Sequence, residues 1–338
     1  MNQHEHPSTP VTHPRISVLM PVYNGEKHLA AAIDSILAQT FREFEFIIAV
    51  DRESADRSLE IVDRYASQDT RIIRRLVPRS RIGGNLNYVI PQARGTYIAL
   101  MEADDLALPN RLQLQFEWME TNPVDICGGA QKLFGGQENL RWFPETHEGI
   151  RAELLFSCAL HPSCVMMKAE VLQNNLFDPA AYFQDYEYWT RIIHRHQAAN
   201  MPHIVARVRI HDQQNSAVNE QIIAREQERY GRRHFYQCFP AASDLDYQAY
   251  RQVAESRPCA TIAQLAAAGR LLVQCGDVPE NALRGRMAAR WYQTCLRSAA
   301  LGPEAYTIFT RFAARFGAAD SNAWQTLQAA CQAGKGAG

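Results

Sequence analysis

Carboxylates are gathered at two places where the chain should be apolar and turning. The run YIALM (97–101) passes straight into Glu102, Asp104 and Asp105, and the run FEFIIAV (44–50) ends at Asp51. Like charges held together repel, so such a knot invites an explanation. One is a hard divalent cation, Mg²⁺ or Mn²⁺, bound through one or two carboxylates and completed by phosphate oxygens. Two plainer readings stand beside it. Asp104 or Asp105 can stabilise the N-terminus of a helix opened by Pro109, or the cluster is a surface loop. A further acid, Asp185 in FQDYEYW, suits either a helix N-cap or a general base; Glu187 is its rival as base. Cys158, His161 and Cys164 have a spacing that suggests zinc. Three residues without a fourth partner, interrupted by Pro162, make a poor zinc site.

These residues need elements to position them. Segments 16–22, 44–50, 71–77, 97–101 and 125–130 read as strands. Between them, 26–39 carries Leu29, Ile33, Ile36 and Leu37 at helical spacing, and Leu59, Val62 and Tyr65–Ala66 form the inner face of a second helix capped by Ser54 or Asp56. A short helix is predicted over 84–93, closed at Gly95, and another from Pro109, as a first-turn proline, to Thr121. LRWFP and SCVMMK read as strands, 183–196 as a helix, and 204–212 as a strand closing near His211. Strands alternating with helices imply a mainly parallel sheet, whose ligands sit beyond the carboxyl ends of the strands. That places Asp51 and the 102–105 cluster on one rim. Beyond about residue 216 the chain turns to Ala-, Gln- and Arg-rich helical segments, broken near Pro240, Pro258, 276–279 and 302–303.

The stretch ISVLMPVYNGEKHLAAAIDSILAQTFREFEFIIAVDRESADRSLEIVDRY, followed by GTYIALMEADDLALPNRL, closely resembles the family 2 glycosyltransferases of GT-A fold, over residues 15–215. The resemblance implies a helix-flanked, mixed, mainly parallel α/β sheet followed by a helical C-terminal region. Three parts follow: a disordered tail over 1–14, a glycosyltransferase domain over 15–215 and a helical domain over 216–338. It implies an inverting transferase that moves a sugar from a nucleotide-sugar, a UDP-sugar by preference, to a hydroxyl of a saccharide or lipid-linked saccharide. Pro21, Tyr23 and Asn24 match the P-x-Y-N turn, Asp51 the base-contacting acid, and Glu102-Ala103-Asp104 the DxD motif. Arg81 and Asn87 fall in the family's donor-side stretch, and a helix-surface amide is the plainer role for Asn87. Asp104, with His211 of the R-x-H segment, would hold Mn²⁺ or Mg²⁺, and Asp185 would be the base. The chain departs from the pattern at Glu102, where Asp is usual, at Gln184, where Glu is usual, and at Arg52 and Glu53. Those departures keep open a non-catalytic relative that binds nucleotide-sugars or glycans. A sugar nucleotidyltransferase is the other alternative, although PVYNGEKH makes a poor phosphate loop.

Composition narrows the field. Formal net charge is -1, with 46% hydrophobic and 21% charged residues, which gives nucleic-acid binding no support. Eight scattered cysteines, no CxxC and no apolar leader-like segment point to free thiols in a reducing, cytoplasmic setting. No run approaches a membrane span. Arg286, Arg290 and Arg297 share a helical face beside Met287, Trp291 and Tyr292. That face suits either plain solvent or peripheral contact with the inner face of the cytoplasmic membrane. The same C-terminal helices offer a route to a homo-oligomer.

Overall fold

The buried strands carry almost uninterrupted apolar sequence, as a sheet covered on both faces requires. The computed structural model describes residues 13–136, 138–212, 214–276, 281–316 and 321–334. The expected N-terminal tail lies outside them up to residue 12, and so does most of the break expected at 276–279. Two compact units divide the chain. The first runs to His147 and resumes over Cys158–Tyr230; the second takes Glu148–Ser157 and continues from Gly231.

In the first unit the strands are β1 (Ile16–Val22), β2 (Phe44–Asp51), β3 (Ile72–Val77), β4 (Tyr97–Leu100), β5 (Leu106–Ala107), β6 (Ile126–Phe134), β7 (Asn139–Arg141), β8 (Met166–Lys168) and β9 (Ala198–Arg209). The helices in chain order are α1 (Glu26–Leu37), α2 (Ser58–Gln68), α3 (Ile82–Val89), α4 (Arg111–Thr121), α5 (His147–Glu153, which from Glu148 onward belongs to the second unit), α6 (Ala169–Asn174), α7 (Gln184–Ile192) and α8 (Asn215–Val218). The strands form one sheet in the order β3-β2-β1-β4-β8-β6-β9-β5, with β7 paired to β6. β3, β2, β1 and β4 run parallel, β8 is antiparallel to both β4 and β6, and β9 is parallel to β6. The carboxyl ends of β1, β2 and β4 therefore share a rim. Leu29, Ala32, Ile33 and Ile36 of α1 are buried against the same core as Val18, Met20, Phe46 and Ile48.

The entry to β4 is pinned with little freedom. Ser17 donates to Glu45 at 2.6 Å, the Gly95 N–H donates to Ser17 Oγ at 2.9 Å, and Arg94 donates to Glu45 through both its backbone and its guanidinium. A Cβ at Gly95 would lie 2.5 Å from the Ser17 nitrogen, so only glycine fits there. Two local expectations are corrected. Pro109 precedes the helix instead of opening it, because the short β5 pairs with β9 and the helix starts at Arg111 after an Asn110 cap. The second helix starts at Ser58 after Arg57, and Asp56 Oδ1 accepts the Ser58 N–H at 3.0 Å. Ser54 is drawn instead toward the loop after β1, where its Oγ accepts the Asn24 N–H at 3.4 Å.

The second unit contains α9 from Gly231 onward (Glu220–Cys238 in full), α10 (Asp244–Ala254), α11 (Ile262–Gly276), α12 (Asn281–Arg297), α13 (Pro303–Phe316) and α14 (Ser321–Ala333). Its core gathers Phe235, Tyr250, Leu265, Leu272, Met287, Trp291, Phe309 and Leu327. The arginines of α12 are engaged within this unit. Arg286 pairs with Glu153 at 3.3 Å, Arg290 donates to the Ala254 carbonyl, and Arg297 donates to the Ser256 carbonyl at 2.8 Å. Met287 and Trp291 are buried beside them. The seven described cysteines with placed side chains are free. No helix among the described residues is long and apolar enough to cross a membrane.

Candidate functional site

The rim begins with two loops laced together. After β1, Asn24 takes a left-handed conformation (φ 49°), which asparagine tolerates better than most residues. Its Oδ1 accepts the Ala55 N–H at 2.8 Å. Gly25 donates to Ser58 Oγ at 2.8 Å, Glu26 N–H donates to Asp56 at 2.9 Å, and Glu26 in return accepts the Arg57 N–H at 3.0 Å. Pro21 and Tyr23 flank this turn. Tyr23 is exposed, and the Arg79 guanidinium lies over its ring at 3.7 Å.

Asp51 ends β2 with its carboxylate buried. It accepts the Glu53 N–H at 2.9 Å and the Ser80 N–H at 3.3 Å, faces the Asn85 amide at 3.4 Å, and lies 3.6 Å from Arg79. These contacts bring the loops after β2 and β3 together around one acid. Two other expected donor residues are turned elsewhere. Both ends of the Asn87 amide are taken by the Phe177 backbone, at 2.9 Å each. Arg81 donates to the Ala180 carbonyl at 2.7 Å and lies over the Tyr182 ring at 3.8 Å. Each ties α3 to the 177–182 segment that leads into α7.

The acidic knot resolves into two sets. Asp104 Oδ2 meets His211 Nε2 at 3.0 Å, so the expected pair is together. Asp105 turns inward and is 1% exposed. One of its oxygens accepts the Arg209 N–H at 2.8 Å, while Oδ2 has no hydrogen-bond partner. Ligand atoms of Glu102, Asp105 and His161 lie within 4.8 Å of one another, with His161 Nε2 3.8 Å from Glu102. Burial raises the Asp105 carboxyl to about 7, reinforced by Asp104 and opposed by Ser163, the Arg209 N–H and Arg111. Glu102 stands in a deep part of the cleft although its side chain keeps 29% exposure. Its carboxyl is raised well above the usual range by desolvation and then by Asp105, Asp104 and Asp185. His161 is pushed down to about 3 by burial, then by Arg141 and Arg111, so it is a neutral imidazole.

Beneath the knot Arg111 is completely buried. Its Nη2 donates to the carbonyls of Leu100 and Val165 at 2.9 and 3.0 Å, and its Nε donates to Gln115. Burial pulls the guanidinium down to about 10, which leaves it charged at neutral pH. A buried cation under clustered carboxylates fixes the end of β4 and limits their mutual repulsion.

Asp185 occupies the first turn of α7. The cap position belongs to Phe183, which makes no side-chain capping bond. Asp185 accepts its neighbour Tyr186 N–H at 2.9 Å, and the Cys158 thiol donates to its Oδ2 at 3.6 Å. Burial raises its carboxyl, opposed by those two donors and by Arg141. With Glu102, Pro21, Met101, Pro162 and Trp189 it lines one concave pocket. Glu187, the rival base, is buried and ion-paired to Arg191 at 3.0 Å.

A divalent cation fits this donor set. The oxygens of Glu102, Asp104 and Asp105 are hard ligands, imidazoles stand beside them, and a buried carboxylate oxygen lacks any donor. Asp105, Arg111 and Arg141 escaped the sequence reading as separate contributors. The adjacency Asp104-Asp105 does not say which acid turns inward, and Arg111 looked like an ordinary helix residue. His161 was legible, but with the wrong company: it joins Glu102 and Asp105, whereas Cys158 faces Asp185 and Cys164 lies near Ala130 and Gln131.

Comparison with known proteins bears on the family and the fold. The model of the family described as glycosyl transferase family 2 matches residues 17–184. An uncharacterized glycosyltransferase of Methanocaldococcus jannaschii is 35% identical over 191 residues, 53% of this chain and 65% of that one. The chain thus spans just under two thirds of that relative. The O-antigen biosynthesis glycosyltransferase WbnJ of Escherichia coli is 30% identical over 183 residues, 53% of this chain and 71% of its own. The crystal structure of S. aureus TarS 1–349 in complex with UDP-GlcNAc superposes with a TM-score of 0.54 at 13% identity, covering 95% of this chain and 92% of that one. That last likeness is one of fold.

Proposed function

This chain belongs to glycosyl transferase family 2 and has the GT-A fold, and from that premise we propose that it is an inverting glycosyltransferase. It moves a sugar from a nucleotide-sugar to a hydroxyl of a saccharide or lipid-linked saccharide. A UDP-sugar is the preferred donor, in keeping with the ligand of the TarS complex, and the O-antigen role named for WbnJ favours a surface-glycan acceptor. The observation that carries the reading is the placing of Asp185 and Glu102 on one pocket at the carboxyl ends of the strands.

Each residue has a task. Asp51, with the laced loops at Asn24 and Ala55, shapes the base and ribose end, and Tyr23 offers an exposed ring there. Asp104 with His211, and Glu102 beside them, would hold Mn²⁺ or Mg²⁺, which when bound stabilises the charge that develops on the departing diphosphate. Asn87 and Arg81 hold the 177–182 segment, and thereby the start of α7, in place. Asp185 takes the proton from the acceptor hydroxyl as its oxygen attacks the anomeric carbon. A carboxyl raised by burial is a stronger base once ionised, which suits that transfer near neutral pH.

Asp185→Asn tests the assignment. Turnover should fall by about 10²–10⁴-fold while UDP affinity stays within a few-fold, and the wild-type product should show the inverted anomer by NMR. A variant with wild-type turnover would remove Asp185 from the base role. A retained anomer would rule out the single-displacement chemistry.

A further inference from the structure

We propose that the pocket beneath the reacting centre receives the acetamido group of an N-acetylhexosamine donor, with Trp189 and Gln184 reading its amide. The inference rests on the reading of Glu102 and Asp185 as the two sides of the transfer, and it names the sugar that this reading leaves open.

The pocket has a polar mouth and an apolar floor. Pro21, Glu102, Pro162 and Asp185 line it and are half-buried, whereas Leu19, Leu86, Leu100 and Trp189 line it and are almost wholly buried. Leu19 and Leu100 are register partners in the β1–β4 pair, so they stand side by side on one face of the sheet. Asp185 and Trp189 are four residues apart on α7 and share a face of that helix. Helical side chains lean toward the N-terminus, which carries the indole back toward the turn that holds Asp185. The ring of Tyr188 stands T-shaped to the indole, centroids 5.0 Å apart, and lies 4.4 Å from the ring of Phe177, which also lines the pocket. Asn87 clasps the Phe177 backbone at both ends of its amide. This aromatic wall is built in advance of any ligand.

Two polar groups of the lining have no use inside the protein. Trp189 is 0% exposed and its Nε1 has no acceptor. Gln184 is 7% exposed, and its side-chain amide has no hydrogen-bond partner among the described residues. A buried donor left unpaired carries a desolvation cost, which a ligand with the right acceptor relieves. A hydroxyl would satisfy these groups and leave the apolar floor uncovered, and a methyl would do the reverse. An acetamido group does both: its carbonyl oxygen accepts from the indole N–H, its N–H donates to the Gln184 carbonyl oxygen, and its methyl lies against the leucines.

Position selects the carbon that bears it. In the transfer the anomeric carbon lies between the diphosphate, on the side of Glu102 and Asp104, and the acceptor hydroxyl at Asp185. A pocket lined by both Glu102 and Asp185 therefore opens beside that carbon. The nearest substituent is the one on C2, where N-acetylhexosamines carry their amide.

The test is binding of UDP, UDP-GlcNAc, UDP-Glc, UDP-GalNAc and UDP-Gal to the full chain with Mn²⁺. Wild type should hold the acetamido member of at least one pair about ten-fold more tightly than its hydroxyl counterpart. Trp189→Phe removes the indole N–H and keeps an aromatic ring, and Gln184→Leu removes the amide at similar size. Each should cut the preference about five-fold, with UDP affinity unchanged. No preference in either pair would overturn the assignment and leave the transferase reading in place. A preference that both variants keep, or lose only together with UDP affinity, would overturn it too. Failure of wild type to bind UDP at all would remove the donor site, and the inference with it. Asp185→Asn, run in parallel, should keep the preference while losing turnover. If it keeps turnover, the base reading fails while the binding result for the pocket stands by itself.

Discussion

At the scale of single residues, the site is a concentration of negative charge that folding alone does not reward. The Glu102 carboxyl is raised by burial and then by Asp105, Asp104 and Asp185, and the Asp105 carboxyl by burial and then by Asp104. A carboxyl raised on folding contributes stability that is complete below its unfolded value near 4 and is lost as pH rises through its folded value, about 7 for Asp105. His161 runs the other way. Its folded value of about 3 makes protonation favour the unfolded chain, a penalty that has gone above about pH 6.5. Between pH 6.5 and 8 the acid trend is therefore the one that remains. Mg²⁺ or Mn²⁺, at one fixed concentration about 100 times its dissociation constant at pH 8, should add about 2.7 kcal/mol there. That corresponds to a rise in Tm of about 5–10 °C, larger at pH 8 than at pH 6.5. Asp104→Asn should abolish most of it. Thermal melts at the two pH values check this, and a rise that shrinks toward pH 8 would contradict the electrostatics.

At the scale of elements, the acids face the cleft because β4 ends where it does. Arg111 reaches from α4 to the Leu100 and Val165 carbonyls, joining β4 to the segment before β8. Arg111→Met should take the charged donor from both carbonyls, that of Val165 keeping the Leu100 N–H at 3.1 Å, and cost about 1–3 kcal/mol, lowering Tm by about 2–4 °C per kcal/mol. Gln113, half-buried on the same helix with its amide directed to Glu117, is the control: Gln113→Ala should change Tm by less than a degree or two. Strands of this sheet were readable because apolar runs such as 16–22 and 44–50 have few other uses. Starts of helices were less so. Pro109 has the character of a first-turn residue, but the pairing of Leu106 and Ala107 with β9 is a contact across a hundred residues that local pattern does not carry. Ser54 and Asp56 have the chemistry of caps; Asp56 does accept the Ser58 N–H at the start of the helix as well as the Glu26 N–H, whereas Ser54 is claimed by Asn24.

At the scale of the whole molecule, the sequence pattern disclosed the rim because parallel strands order their carboxyl ends together. Asp51, Asp104 and Asp185 were nameable from motifs at separate places in the chain. Which acid turns inward was not, since a turn has no fixed side-chain period. Asp105 is buried and Asp104 meets His211 through the approach of β9, which lies a hundred residues away. The C-terminal region was readable only as helices. Its arginines looked like a charged surface, and packing of α12 against the carbonyls of Ala254 and Ser256 gives them partners inside the second unit.

The central claim is that the acids on the rim serve sugar transfer from a nucleotide-sugar. The most direct measurement is release of nucleoside diphosphate from UDP-, GDP- and dTDP-sugars by the full chain, with Mn²⁺ and with EDTA, using a crude lipid extract as the source of acceptor. Release from one donor, dependent on the metal and lost in Asp185→Asn, is the predicted result. Release that is undiminished by EDTA, or equal in the variant, or failure to bind any of the nucleoside diphosphates, would contradict it.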